Sequence, residues 1–83
     1  MSRAGSHGRS EIAECVRRTL ERYFKDLDGE KPCAIHRMVL LNVERPMLEV
    51  VMREADGNQT LAAEMLGINR NTLRRKLAEH KLL

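Results

Sequence analysis

Apolar residues recur every three or four positions from Ile12 to Leu27, which is the spacing of one face of an α-helix. We expect Ser10 to cap this first helix, which Asp28-Gly29 and Lys31-Pro32 bring to an end. The preceding segment, residues 1–9, is small and polar, and we predict a mobile tail there. The apolar stripe comprises Ile12, Cys15, Val16, Leu20, Tyr23, Phe24 and Leu27.

The residues of this stripe lead to two further predictions about burial. Tyr23 and Phe24 are interpreted as core anchors rather than as a platform for stacked bases. Cys15 is interpreted as a buried free thiol, whereas Cys33 lies in the linker.

The second helix is predicted from about Ala34 to Ala55. Most of its polar residues form one narrow line along the helix, which consists of Asn42, Arg45, Glu49 and Arg53. Glu44 and Glu54 lie off that line. A helix that is apolar around most of its circumference must be covered on more than one side. A chain of 83 residues has little else to cover it, so we predict a symmetric homodimer in which these helices pack on their copies.

Pro46 falls inside this predicted helix. Proline removes a backbone hydrogen bond and crowds the carbonyl of Asn42, so we expect a kink. Two helices meeting near Glu44 are the alternative, but the apolar periodicity continues through the proline and favours one kinked helix.

The stretch Asn58–Leu77 predicts two short helices joined by a tight turn. The first runs from Gln59 to Leu66, and Gly67 can adopt the left-handed conformation that ends it. Asn69 or Asn71 can cap the second, which has Leu73 and Leu77 on one side and Arg70, Arg74, Arg75 and Lys76 elsewhere. This arrangement is typical of a DNA-binding helix-turn-helix, although an ordinary αα-hairpin with a solvated basic face remains the alternative.

The charge distribution favours the DNA-binding interpretation. The net charge is +3, yet residues 69–83 alone carry +4, so the remaining 68 residues sum to −1. A positive terminal helix suits a phosphate backbone. Aromatic residues are only 2% of the chain, which argues against single-strand binding through stacked bases.

Other function classes find little support in the sequence. The two cysteines have no CxxC or Cys–His spacing, so we expect no zinc or other metal site, and their number suits a reducing cytoplasm. No apolar run approaches the ~20 residues of a membrane span, so no membrane partner is expected. Paired carboxylates, nucleophile–base spacings and phosphate-cradling glycine loops are not evident, so we expect neither an enzyme nor a cofactor.

Three segments resemble the Fis (factor for inversion stimulation) family of bacterial nucleoid-associated DNA-bending proteins. The strongest is GNQTLAAEMLGINRNTLRRKL at Gly57–Leu77, and VERPMLEVVMREADGN and RRTLERYFKDLDG are similar to the family's central and first core helices. The resemblance implies an all-α subunit of four helices in an intertwined homodimer. It also implies a weakly selective, DNA-bending transcriptional regulator located in the cytoplasmic nucleoid.

The sequence pattern and the resemblance together divide the chain into a tail at residues 1–9, a two-helix dimerisation core at residues 10–57 and a helix-turn-helix unit at residues 58–83. It further implies contacts to double-stranded DNA. Asn58 and Thr60 match phosphate-contacting positions, and Asn69 and Arg70 match positions that reach base edges. The positions that match further backbone contacts are Thr72, Arg74, Arg75 and Lys76.

The chain departs from the family pattern at two places. Leu61 replaces a basic residue that is often present, which should cost one phosphate contact. Residues 1–9 do not match the N-terminal β-hairpin arm with which longer members stimulate DNA invertases, so the resemblance does not carry that activity over.

Two alternatives stay open. NtrC-type regulators end in the same helix-turn-helix, but Met1 and the matching first helix lead us to expect a complete small protein. A helical dimer that recruits a protein through its basic helix is the other alternative, and the resemblance implies RNA polymerase as a further partner.

Overall fold

Four α-helices and no β-strand are found in residues 2–83. The computed structural model describes the backbone of these residues and the side chains of residues 11–83. The helices are α1 (Ser2–Leu27), α2 (Ile35–Glu54), α3 (Gln59–Leu66) and α4 (Arg70–Glu79). The predicted all-α subunit of four helices is confirmed. None of the four helices, as far as they are described, is long and apolar enough to cross a bilayer.

α1 begins earlier than the sequence predicts. The predicted helix start at Ser10 is wrong, because the backbone is already helical from Ser2 and Ser10 lies inside α1. The tail predicted at residues 1–9 is therefore helical from Ser2 onward, and Met1 lies outside the described residues. Once a helix is nucleated, each further residue adds a hydrogen bond at little cost, and no proline in this segment stops the extension.

The chain divides into two compact units, one up to Val39 and one from Leu40 to Leu83. In the first unit no residue from 11 to 39 is fully buried. Cys15 is exposed and Phe24 is 50% exposed, so the predicted burial of these two side chains is wrong for the single subunit. The unit contributes one long helix and hence no second apolar surface of similar length to cover its stripe.

Two local contacts organise the end of α1. The rings of Tyr23 and Phe24 meet edge to face, with centroids 5.5 Å apart. The backbone N–H of Cys33 donates to the Tyr23 hydroxyl over 3.5 Å, which ties the linker to α1. Asp28 and Gly29 have φ values of 51° and 90°, so the predicted helix end at this pair is confirmed.

α2 continues through Pro46 as one helix, which confirms the single-helix interpretation over two helices meeting near Glu44. Its observed bounds lie within one residue of those predicted at each end. The kink predicted at the proline stays a prediction.

The second unit has a small apolar core that joins α2 to the two short helices. Burying a leucine side chain completely stabilises the fold by on the order of 1.5–3 kcal/mol, and burying an alanine side chain stabilises it by less. Partly buried Leu82 packs against the core from beyond α4. The buried members are Leu48, Ala55, Ala62, Ala63, Leu73 and Leu77.

The turn between α3 and α4 follows the sequence prediction closely. Gly67 has φ 75° and ends α3, and its N–H donates to the carbonyl of Ala63 over 2.9 Å. The N–H of Ile68 donates to the same carbonyl over 3.1 Å. The Gly67 N–H also lies 3.2 Å from the Glu64 carbonyl, and this bond together with the Ile68 bond is the usual pair that closes a helix at a left-handed residue.

Replacing Gly67 tests whether backbone conformation or crowding selects glycine there. A Cβ atom at this position would meet nothing within 4 Å, so only the positive φ opposes it. We expect Gly67→Ala to lower the free energy of unfolding by about 1–2 kcal/mol in urea titrations. Gly67→Asn should cost less, because asparagine tolerates this conformation. Equal losses in the two variants would contradict a backbone origin.

Candidate nucleic-acid interface

Asparagine side chains begin both helices of the α3–turn–α4 unit. The Asn58 carboxamide oxygen accepts the N–H of Leu61 over 3.1 Å, and the Asn69 oxygen accepts the N–H of Asn71 over 2.7 Å. The structure therefore assigns the α4 cap to Asn69, one of the two candidates from the sequence. Each cap uses the Oδ1 atom, so the two N–H donors of each carboxamide take no part in it.

The residues predicted to contact DNA lie mainly on the surface of this unit. Asn69 and Arg70 are exposed and consecutive at the start of α4, and Asn58 and Thr60 are exposed at the start of α3. Arg74 and Arg75 are exposed along α4, whereas Thr72 and Lys76 are half-buried. No ligand contact tests these assignments, which remain predictions.

A hydrogen bond links the two helices at the surface. The Arg74 guanidinium donates through Nη1 to Gln59 Oε1 over 3.3 Å. This bond holds Arg74 beside the first turn of α3, because Gln59 lies between Asn58 and Thr60 in the sequence. A guanidinium has five N–H donors, so this bond leaves the others available for a further acceptor.

Lys76 lies on the opposite flank of α4 from Arg74 and contacts α2. Its ammonium lies 2.6 Å from Glu44 Oε2, and His80 Nε2 lies 2.9 Å from Glu44 Oε1. The side chains of Glu44 and Lys76 are 18% and 33% exposed, and His80 is buried. Lys76 thus has an ion-pair partner inside the subunit, whereas Arg74 makes a hydrogen bond to an uncharged side chain there.

Arg45, the next residue of α2, completes this contact. Its Nη1 donates to the backbone carbonyl of His80 at the end of α4, and its Nε lies 3.2 Å from Glu49 Oε2. Glu44, Arg45, Lys76 and His80 are called the α4 clamp below. A cation at a helix C-terminus also interacts favourably with the helix dipole.

The α4 clamp is not evident from the sequence. The sequence pattern places Arg45 on a polar line of the second helix and Glu44 off that line. The one available signal was an acidic residue at a position otherwise expected to be apolar. A buried or half-buried carboxylate needs a partner, and the basic residues of α4 were the candidates.

The α4 clamp lowers the pKa of Glu44. The hydrogen bond from Lys76 is the main cause, followed by the one with His80, and partial burial opposes both. Glu44, Glu79 and His80 also bring three potential metal ligands within 4.8 Å of one another. Because Lys76 and His80 already satisfy the Glu44 carboxylate, this geometry is explained without a metal ion.

Removing the charge of Glu44 should change how stability depends on pH. A carboxylate whose pKa is lowered on folding stabilises the protein above its ordinary value of 4.5, and this contribution is lost as the pH falls through the folded-state pKa. We expect Glu44→Gln to cost on the order of 1 kcal/mol at neutral pH and progressively less as the pH falls below 4.5, measured by urea unfolding.

The control for this measurement is Glu64→Gln, which removes an exposed carboxylate on the outside of α3. It should leave the pH dependence close to that of the parent protein. If the two variants behave alike, the α4 clamp does not stabilise the fold.

Comparison with known proteins identifies the family. Residues 40–80 match the family model described as bacterial regulatory protein, Fis family. They comprise most of α2 and all of α3 and α4. A protein of Neisseria meningitidis named as Fis-like and DNA-binding is 53% identical over 77 residues, which cover 93% of this chain and 98% of the relative. A similarly named protein of Ralstonia nicotianae is 56% identical over 75 residues, covering 90% and 97% of the two chains. The DNA-binding protein Fis of Glaesserella parasuis is 46% identical over 69 residues, covering 83% of this chain and 70% of the relative. The chain therefore belongs to the Fis family of bacterial regulatory proteins.

Proposed function

We propose that the protein is a homodimeric, weakly selective DNA-binding and DNA-bending regulator of transcription that acts in the nucleoid without catalysing a reaction. The observation that carries this proposal is the exposed, basic side of α4, anchored at its far end by the α4 clamp. The names of the relatives, which include Fis-like DNA-binding protein, support DNA as the ligand.

The base-reading residues in this proposal are Asn69 and Arg70. Both stand exposed at the free N-terminal end of α4, whereas the C-terminal end is held against α2. In helix-turn-helix proteins the first residues of the second helix reach base edges in the major groove. An arginine there can donate two hydrogen bonds to guanine O6 and N7.

The remaining predicted residues would hold the phosphate backbone. Arg74 and Arg75 offer exposed guanidinium groups, and Asn58 and Thr60 lie where α3 begins. Lys76 and half-buried Thr72 contribute less in this proposal, because Lys76 would have to leave Glu44 to reach a phosphate. Backbone contacts fix the position of the duplex without reading its sequence.

The proposed dimer rests on an apolar stripe along α2. Leu40, Val43, Met47 and Val50 are each between 38% and 50% exposed in the single subunit. Their spacing of three, four and three residues is that of a helix seam which packs against another helix. Leu48 of the same helix, and Ala55 directly after its end, instead face the subunit core. One helix would therefore hold the two subunits together and also support each helix-turn-helix.

DNA bending follows from the dimer if its two α4 helices lie closer than one helical repeat of B-DNA, about 34 Å. The duplex would then curve and narrow its intervening minor groove. Bending a short site costs on the order of 1–6 kcal/mol, which contacts to flanking phosphates can offset. Selectivity would then depend partly on the deformability of base pairs that no side chain touches.

Arg70→Ala tests base reading, with Arg75→Ala as the matched control from the same helix. On a duplex selected by the parent protein, Arg70→Ala should weaken binding by about 1–3 kcal/mol, and on random duplexes it should weaken binding less. Arg75→Ala should weaken binding to all duplexes and reduce the salt slope by about one phosphate contact. Gel shifts at two salt concentrations measure both. Equal losses on selected and random DNA for Arg70→Ala would show that it reads no base.

Val50→Glu tests the dimer. A buried charge in the proposed seam should prevent association, so sedimentation at micromolar concentration should give a monomer or an unfolded chain. Val51 is unsuitable because it packs against the subunit core. Glu54→Gln, at the exposed end of α2, should leave association unchanged. A parent protein that sediments as a monomer would rule the dimer out.

A further inference from the structure

The orientation of α4 about its own axis is fixed by three contacts. Leu73 and Leu77 are buried along one side of the helix. Arg74 bonds to Gln59 of α3 on one flank of this side, and Lys76 bonds to Glu44 of α2 on the other. The face opposite the leucines is consequently turned away from the subunit.

Asn71 lies on this outward face. Two residues of α-helix turn the chain through about 200°, so Asn71 points nearly opposite Leu73. Arg75 and Ala78 follow Asn71 by four and seven residues and share its face. All three are exposed, whereas Leu73 is 0% exposed, which agrees with this geometry.

The cap of α4 leaves the Asn71 side chain available. Asn69 takes the capping role, and it engages the backbone N–H of Asn71 rather than its carboxamide. Asn71 is also in the first turn of α4, next to Arg70, where base contacts are made in helix-turn-helix proteins. Ala78, two turns further along the same face, is too small to keep the helix away from a groove.

We propose that Asn71 is a further specificity-determining residue, which reads an adenine in the major groove beside the base contacted by Arg70. A carboxamide can accept from adenine N6 and donate to adenine N7 at the same time, a pairing that distinguishes A·T from the other base pairs. The inference rests on the proposed DNA-binding function and adds a base preference to it.

The test is site selection from a randomised duplex pool, followed by binding measurements. The parent protein should enrich an adenine at one position in each half-site, and Asn71→Ala should lose that enrichment while retaining the others. On the selected duplex, Asn71→Ala should weaken binding roughly 5- to 150-fold, as expected for one bidentate base contact. Circular dichroism should show unchanged helicity, because the side chain is exposed.

A probe of the single atom makes the assignment specific. Replacing the selected adenine with 7-deazaadenine removes the N7 acceptor, which should weaken the parent protein but leave Asn71→Ala unaffected. Arg75→Ala, from the same face, should respond to the modified base as the parent does. These two controls separate base reading from a general loss of affinity.

The outcomes distinguish the inference from the function on which it rests. If the parent protein shifts no duplex at low salt, the proposed DNA binding itself fails. If the parent binds but Asn71→Ala enriches the same sites, or weakens all duplexes equally, only the adenine contact is overturned. Loss of adenine enrichment together with insensitivity to 7-deazaadenine supports it.

Discussion

The position of α4 depends on the carboxylate of Glu44. This single group accepts from Lys76 and is bonded to His80, while its neighbour Arg45 holds the carbonyl at the end of the same helix. The apolar core beneath is small, since α3 and α4 contribute only two alanines and two leucines that are fully buried. A short helix packed on so little apolar surface could rotate or slide, and directional polar contacts oppose both movements.

The α4 clamp gives the basic residues of this region different tasks. Lys76 stabilises the subunit from within, and Arg74 is steered towards α3 by Gln59. Arg70 and Arg75 are exposed, and neither takes part in the contacts to Glu44 and Gln59. Positive charge along a helix therefore does not by itself identify a contact to nucleic acid. The partner that each side chain meets within the subunit decides how freely it can meet another molecule.

α2 has two apolar sides with different roles. Leu48, together with Ala55 just beyond the end of α2, completes the core beneath α3 and α4. The stripe that remains exposed in the single subunit consists of Leu40, Val43, Met47 and Val50. Exposed apolar stripes of this kind are typical of surfaces that interact with another protein or a membrane. If a second copy covers this stripe, the same helix sets both the dimer and the place of each α4. The distance between the two α4 helices would then follow from α2 rather than from the helix-turn-helix.

Local signals in the sequence were sufficient for the helices and their ends within the second unit. Gly67 requires no partner to favour the left-handed conformation, and Asn58 and Asn69 cap helices whose first N–H groups lie two or three residues away. The same holds for α2, whose apolar periodicity predicts one continuous helix through Pro46. α1 starts earlier than predicted because small polar residues and glycine only weakly disfavour a helix, so the nucleated helix extends through them.

What the sequence alone determined, therefore, is the set of four helices, the turn at Gly67 and the family to which their order points. Only the tertiary structure decided which side of α4 faces outward and which of its charges are already paired. Glu44 and Lys76 are 32 residues apart, and their contact exists because Leu73 and Leu77 pack α4 against the core that Leu48 supplies from α2. The periodicity shows that Glu44 is an acidic residue at a position of α2 where an apolar one is expected. The identity of its partner depends on how α2 and α4 pack against each other in space.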